Sequence, residues 1–235
     1  MRNIIIDYVW ISSQEPLSLR SKTRILHIDL HKFSGLDSYI GSTPRLLTFS
    51  DLERIPTWEE RSNILKPIKL YKNSDKYIVL CEVCDVDNKP LPTDYRGQLN
   101  CLCSKSPKLS LSVRQEFTID NNKIWNEDDN YYCNVNAYGS SIVEEFINTC
   151  LNLTITIDDV KPEELFGQWI YQLSGDDIVT VVDDLLISHF ILHKICNKQK
   201  ESVFFNKLYV NHKGKIMTIN DGDNPYKLLM GLLKG

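Results

Sequence analysis

The stretch Ser112-Val113-Arg114-Gln115-Glu116-Phe117 decides how the fold and the chemistry of this chain are interpreted. It places an arginine two residues before a glutamate. Hard divalent cations in proteins are bound by several oxygen ligands, usually carboxylates. An arginine offers five N–H donors, no acceptor and a charge that it does not lose. Arg114 is therefore the most informative residue of the chain, because it stands beside a possible metal ligand and cannot be one itself.

Short strings on both sides of this stretch follow one another in a fixed order. They are Tyr8-Val9-Trp10-Ile11, Leu19 to Arg24, Pro56-Thr57-Trp58, Val79 to Val83, Asn88-Lys89-Pro90 to Arg96, Tyr131-Tyr132-Cys133, Tyr138-Gly139, Ile142-Val143-Glu144, Gln168-Trp169 and Phe190 to His193. Each string alone is weak. Together, in this order, they resemble a eukaryotic-type glutamine synthetase, with matches scattered from Tyr8 to Cys196.

The resemblance implies an α+β fold. We expect a β-grasp-like N-terminal domain over residues 1–90, then a glutamine-synthetase-type catalytic domain over 91–235, with an antiparallel sheet and flanking helices. In this family the active sites form between neighbouring subunits of a ring. Two magnesium or manganese ions and ATP activate glutamate as an acyl phosphate, which ammonia then attacks. The later segment of the family pattern has no counterpart before Gly235, so the expected catalytic domain is truncated.

The residues that align with the family's site residues depart from its pattern. Arg114 stands at the first acid of an E-x-E strand, and Ile170 replaces the acid of Q-W-E. Arg61 falls where the ammonium-binding aspartate is expected. Glu116 and Glu163 keep ligand positions, and we expect them to be vestigial and paired with Arg114. Because phosphoryl transfer depends on metal ions and cationic clamps, we predict no catalytic, cofactor-binding or metal site.

The resulting hypothesis is a catalytically inactive protein kept as a structural or protein-interaction scaffold, whose partner is another protein or a second copy of itself. Two alternatives stay open. One is an enzyme or nucleotide-binding protein that rebuilt a site around Glu116, Glu163 and His212. The other is a modulator of an intact glutamine synthetase by mixed assembly.

Composition bounds the remaining classes of function. The chain has 235 residues, of which 42% are hydrophobic and 25% charged, and a net charge of −4. Its basic residues are dispersed, which argues against a nucleic-acid partner. No apolar run reaches membrane-spanning length and no signal peptide is recognisable, so we expect a cytoplasmic protein. The single alanine, Ala137, suggests an AT-rich genome, most simply a viral one, which would place the protein in a host cytoplasm.

Two further groups of residues invite a metal interpretation. Cys81 and Cys84 could form a zinc site with Cys101 and Cys103. The C-x-C spacing of the second pair is atypical of zinc ribbons, so buried structural thiols are favoured. The pair His189 and His193 has helical i, i+4 spacing but lacks a nearby acid, and a helix face packed on the sheet explains it better.

Periodicity and turn signals give a coarse map of the elements. Strands are expected at 4–11, 19–26, 77–86 and around Ile155 and Ile157. Helices are expected at 95–103, 140–151 and 183–196, with Ser140 capping the second. Residues 119–130 are expected to be a solvent loop. The apolar tail from Tyr226 to Leu233 is either a cap over a sheet edge or a partner-docking helix.

Overall fold

The computed structural model describes residues 2–12, 18–28, 64–73, 76–85, 87, 89–105, 110–120, 136–212, 215–219 and 224–234. It divides the chain into two compact units, Met1–Gln98 and Leu99–Gly235. The described residues form nine strands in two sheets and four helices, so the α+β class is confirmed. The division falls within the helix Tyr95–Cys103, here α1, whose bounds are those predicted from the sequence.

The first unit contains a four-stranded sheet. Its strands are β1 (Arg2–Ile11), β2 (Leu19–Ile28), β3 (Ile64–Asn73) and β4 (Lys76–Cys84), in the order β2-β1-β4-β3. The central pair β1–β4 is parallel and the two outer pairs are antiparallel. One face carries a buried cluster of Ile6, Tyr8, Trp10, Leu65, Val79 and Cys81. The strands predicted at 4–11, 19–26 and 77–86 are confirmed with shifted ends, while β3 was not predicted.

An ionic cluster joins β4 to the start of α1. Arg96 Nη1 donates to Glu82 Oε1 at 3.2 Å, and Lys66 Nζ lies 4.0 Å from Glu82 Oε2. Burial and the nearby charge of Asp94 raise the pKa of Glu82, against the lowering effect of the two cations. These contacts link β3, β4 and α1, and they give the Glu82 carboxylate two cationic partners from the same chain.

The second unit is built on a five-stranded antiparallel sheet. Its strands are β5 (Leu111–Asp120), β6 (Asp159–Pro162), β7 (Gln168–Gly175), β8 (Ser202–His212) and β9 (Lys215–Ile219). They lie in the order β6-β7-β5-β8-β9. The helices of this unit are α2 (Ser140–Asn152), α3 (Ile178–Gln199) and α4 (Pro225–Lys234). The long helix α3 packs against β5, β7, β8 and α2, so the core lies between it and one face of the sheet.

Two local predictions in this unit need correction. Ser140 does not cap α2: the N-cap is Gly139, with φ 82°, and no side-chain hydrogen bond caps the helix. Ile155 and Ile157 do not form a strand. Ile155 is buried beside the end of α2, where its N–H donates to Cys150 O at 2.9 Å, and β6 begins only at Asp159. An apolar residue next to a helix end was thus mistaken for a strand.

The other predicted helix is longer than expected, and the predicted loop begins later. Helix α3 starts at Ile178 because Asp177 caps it by accepting from the N–H of Val179 at 3.1 Å. Strand β5 continues to Asp120, so the expected loop at 119–130 does not begin at residue 119, and residues 121–130 lie outside the described part of the chain.

The apolar tail forms α4 and packs against α3 of the same chain. Tyr226 donates its hydroxyl to Asp183 Oδ1 at 2.6 Å, and both residues are buried. Asn224 caps the helix through the N–H of Tyr226 at 3.0 Å. The tail is therefore part of the second unit's core. Among the described residues, no helix has the length and apolarity that a membrane crossing requires.

Candidate functional site

The candidate site lies on the face of the five-stranded sheet opposite the packed helix α3. Successive residues of a strand point to opposite faces, and β5 follows this alternation. Leu111, Val113, Phe117 and Ile119 are buried apolar residues of the inner face. Arg114 is exposed and Glu116 half-buried on the outer face. The outer face is where the sequence predicted lost and vestigial metal ligands.

The strand register brings the predicted site residues into two neighbouring rows of the outer face. Glu116 on β5 pairs with Ile170 on β7, and Ile170 pairs in turn with Lys161 on β6. Arg114 pairs with Gln172 on β7 and with Tyr209 on β8. Ile170, predicted to stand at the position of a family acid, therefore lies between a glutamate and a lysine.

Both carboxylate oxygens of Glu116 accept hydrogen bonds from neutral groups. Gln168 Nε2 donates to Oε1 at 2.6 Å, and the Tyr209 hydroxyl donates to Oε2 at 3.2 Å. Hydrogen bonds to an ionised acceptor are stronger than neutral ones. Glu116 is thus satisfied by its own chain.

Glu163 has a cationic partner. Lys161 Nζ lies 2.8 Å from Glu163 Oε1, and their side chains are 30% and 23% exposed. Burial is the largest cause of the raised pKa of Tyr209, and the negative charges of Glu116 and then Glu163 add to it. The two glutamates therefore both act on one hydroxyl, which places them on the same part of the outer face.

Arg114 does not pair with the glutamates, which corrects the sequence expectation. Its Nε donates to Gln172 Oε1 at 2.7 Å. The ion pairs found between described residues include none that joins Arg114 to Glu116 or Glu163. The register explains the difference, because Arg114 lies directly opposite Gln172 while Glu116 lies two pairs further along the strand.

The residues present do not fit the two-metal site that the family resemblance implies. A hard dication needs several free oxygen ligands. On this face Arg114 and Ile170 offer none, and both remaining carboxylates already have partners. Across the described residues, no three His, Cys, Asp or Glu side chains converge in a way that could hold a metal ion.

Two residues of the sequence hypotheses cannot be placed. Arg61 lies outside the described residues. The backbone of His212 ends β8 opposite Lys215, but its side chain is outside the described part of the chain. The role of Arg61 as a replacement for an acid, and the rebuilt site around His212, stay predictions.

The histidine pair packs against the sheet from α3, as the sequence favoured. The His189 ring stacks on Phe205 with centroids 3.8 Å apart, and the His193 ring meets the same phenyl edge-on at 5.2 Å. His189 Nε2 lies 3.2 Å from Gln115 Oε1. The Gln115 amide nitrogen donates to the Glu116 carbonyl, so its oxygen is left to accept from His189. Burial, then the charge of His193, lowers the pKa of His189 to about 3.

The cysteines behave mainly as buried thiols. Cys81, Cys84, Cys150 and Cys196 are buried, and burial raises the pKa of each thiol, that of Cys196 to about 12. High thiol pKa values disfavour the thiolate that zinc binds. Cys101 is exposed, which corrects the expectation that all four clustered cysteines are buried.

Sequence reasoning missed the groups that hold the two glutamates. No sequence pattern marked Lys161 as a site residue, because it lies on the short strand β6, which was not predicted. Tyr209 was noted only as part of a poorly matching segment, and Gln168 only as a landmark. Their convergence depends on pairing across four strands, from β6 to β8.

Comparison with known proteins gives a consistent set of similarities. No protein-family model matches the chain. It is 31% identical over 214 residues to the "Putative glutamine synthetase" of Acanthamoeba polyphaga mimivirus, covering 81% of this chain and 58% of that protein. It is 23% identical over 228 residues to the glutamine synthetase of Streptomyces hygroscopicus, covering 83% and 60%. For the glutamine synthetase of Candida glabrata the identity is 25% over 223 residues, covering 86% and 57%.

A solved structure shares the fold. The structure titled "CryoEM Plasmodium falciparum glutamine synthetase" matches with a TM-score of 0.63 at 13% identity, covering 94% of this chain and 52% of that one. The chain thus spans between half and two thirds of the length of these relatives.

Proposed function

We propose that this chain, which is a homologue of the glutamine synthetases, does not carry out their ligase reaction and is retained as a structural or protein-interaction scaffold. The observation that supports this most strongly is the state of the outer face. Both remaining glutamates are held by groups of the same chain, and the two neighbouring ligand positions hold Arg114 and Ile170.

Electrostatics supports the loss of metal chemistry. A glutamine synthetase must gather metal ions and nucleotide phosphates at one place, and phosphoryl transfer is mostly their positioning and charge stabilisation. Here a permanent cation and a branched hydrocarbon stand where two acids would collect positive charge. Two isolated carboxylates with internal partners compete poorly with water for a dication.

The unequal state of the two faces supports the scaffold part of the proposal. The inner face keeps a packed core of large apolar side chains, including Phe117, Phe146 and Tyr171. A sequence that maintains a core without a working site is maintained for its folded surface. Fold alone cannot name the partner.

The finer assignments follow from the same proposal. We assign residues 1–90 to a β-grasp-like domain, because its sheet has two antiparallel pairs flanking a central parallel pair. Residues 91–235 are assigned to a glutamine-synthetase-like domain. We place the protein in the cytoplasm, that of a host if its genome is viral. Its partner would be a second copy, an intact glutamine synthetase or another protein.

The test measures turnover and ligand binding together. Purified protein would be assayed for glutamine formation from glutamate, ammonia and ATP with magnesium or manganese, and titrated with Mg-ATP in a calorimeter. An intact glutamine synthetase serves as the control under the same conditions. We expect no product and no binding heat at millimolar nucleotide. Measurable glutamine formation would disprove the loss of the ligase reaction.

A second measurement addresses the scaffold. Light scattering after size exclusion, alone and mixed with an intact glutamine synthetase, reports self-association and mixed assembly. We expect an assembly larger than a monomer in at least one arm. A strictly monomeric protein in both arms would remove self-association and mixed assembly from the proposal.

A further inference from the structure

Lys161 contacts one glutamate of the outer face and lies in the same cross-strand row as the other. It lies on β6, and its ammonium group contacts Glu163 Oε1 at 2.8 Å. Across the sheet, its strand partner Ile170 is itself paired with Glu116. Lys161, Ile170 and Glu116 thus form one row over three adjacent strands, with Glu163 two residues along the chain from Lys161.

Two carboxylates on one small area of surface repel each other and favour an added positive charge. The hydroxyl of Tyr209, which donates to Glu116 at 3.2 Å, also experiences the charge of Glu163. Tyr209 and Gln168 are neutral and supply hydrogen bonds but no charge. Arg114 is engaged with Gln172. Among the described ion pairs, the one that brings positive charge to this cluster is Lys161–Glu163.

We propose that Lys161 is a tethered cation, whose ammonium group takes the place of a bound ion beside Glu163, at the end of the row that holds Glu116, and keeps divalent cations out. This inference rests on the proposed loss of metal chemistry. It adds that a residue of the chain itself competes with divalent cations for the site. A lysine ammonium is a compact point charge on a flexible stem. Because it is covalently attached, its effective concentration at Glu163 is high, and a dication has to displace it.

The proposal makes a specific prediction about a variant. Lys161→Met removes the charge and keeps most of the stem, which should expose a weak latent cation site formed by the two glutamates. The Kd for Mn²⁺ should fall by at least about fivefold relative to the parent, since a unit charge within a few ångströms of a site shifts affinity by that order. Binding is measured by the loss of the free Mn²⁺ electron paramagnetic resonance signal, which needs no turnover.

The chain offers a matched control. Lys198 Nζ lies 2.9 Å from Glu145 Oε1 on the helices of the same unit, a pair of nearly the same length that involves a single acid. Lys198→Met should leave Mn²⁺ affinity unchanged, and so should Lys161→Arg, which keeps the charge. The higher Mn²⁺ affinity of Lys161→Met should disappear when Glu163→Gln is added. Lys161→Gln provides a second neutral variant, and circular dichroism verifies that each variant is folded.

The outcomes separate this inference from the proposed function. If parent and Lys161→Met both bind Mn²⁺ equally weakly, the tethered cation is wrong while the loss of metal chemistry stands. A gain that persists in the double variant with Glu163→Gln, or that Lys198→Met shares, also overturns it. If the parent already binds Mn²⁺ in the micromolar range, both proposals fail. Both proposals are supported if the parent binds Mn²⁺ weakly, Lys161→Met binds it more tightly, and the control variants bind it as the parent does.

Discussion

The inner and outer faces of the second unit's sheet are built from alternating residues of the same strands, yet they are constrained differently. On β5 the inner residues Val113 and Phe117 are almost completely buried. On the outer face, Arg114 is exposed and Glu116 is held by neutral hydrogen-bond donors. The inner face has the close packing that any folded domain needs. The outer face has kept its polarity but not the ligand set that metal chemistry needs. Under the proposed function, the fold and not a cation site limits which residues this chain accepts.

The largest expected effect is on the inner face. Phe117 is fully buried and meets Phe146 and Tyr171 edge-on, with centroids 6.4 Å and 5.9 Å away. Phe117→Ala should lower the free energy of unfolding by about 3–5 kcal/mol, through lost burial and the cavity left behind. Urea denaturation followed by circular dichroism measures this. Its matched control is Ser112→Ala on the outer face of the same strand, which should change stability by less than about 0.5 kcal/mol. If both variants lost similar amounts of free energy of unfolding, the contrast between the two faces would be wrong.

The same contrast explains what could be predicted from the sequence. Buried faces follow periodicity, so α1 was found with its bounds, and α3, β1, β2 and β4 were found apart from their ends. Helix α2 was found, but its cap was misassigned because Ser140 resembles a capping residue while Gly139 adopts the left-handed conformation. Strand β8 was missed. Its alternation is interrupted where the pairing with β5 shifts register between Gln115 and Phe117.

The outer face was predictable only in part. The substitution of two acids by Arg114 and Ile170 was predicted from the sequence alone and stays a prediction; it needs no structure, because these residue types cannot coordinate a metal wherever they lie. The partners of the remaining acids were not recognised. Lys161 on β6 and Tyr209 on β8 lie on opposite sides of the central strand pair. The approach of Tyr209 to Glu116 is set by long-range register, which local patterns do not encode. Lys161 and Glu163 are two residues apart, but their position relative to Glu116 depends on the pairing of β6 with β7 and of β7 with β5.

A smaller effect is expected where the helix meets the inner face. His189 has a pKa lowered to about 3 by burial and by His193. In the unfolded chain its pKa is near the ordinary 6.5. The unfolded state therefore binds the proton first. The stability that the neutral ring contributes is present above pH 6.5 and is lost as the pH falls toward 3. When the pH is lowered from about 7.5 to about 5, His189 should reduce the free energy of unfolding by about 2 kcal/mol.

The measurement compares the pH dependence of stability in three proteins. His189→Gln should reduce the stability lost between pH 7.5 and pH 5 relative to the parent, by about 2 kcal/mol. His193→Gln removes an exposed ring that touches the same Phe205 and is only the smaller cause of the lowered pKa of His189, so this variant should keep most of the parent's pH dependence. Parallel stability curves for parent and His189→Gln would show that the ring is not buried as a neutral group. The inner face would then tolerate a charge as readily as the outer one.

The smallest expected effect lies on the outer face itself. Arg114 Nε donates to Gln172 Oε1 at 2.7 Å, but the arginine side chain is exposed, so water replaces the lost bond when either partner is removed. Arg114→Ala and Gln172→Ala should each change the free energy of unfolding by less than about 1 kcal/mol. A double-mutant cycle should give a coupling below about 0.5 kcal/mol. A coupling above about 2 kcal/mol would mean that the replacement arginine is built into the fold as firmly as Phe117. In that case Arg114 would have been kept for stability, and its presence would no longer indicate a face released from the constraint of binding cations.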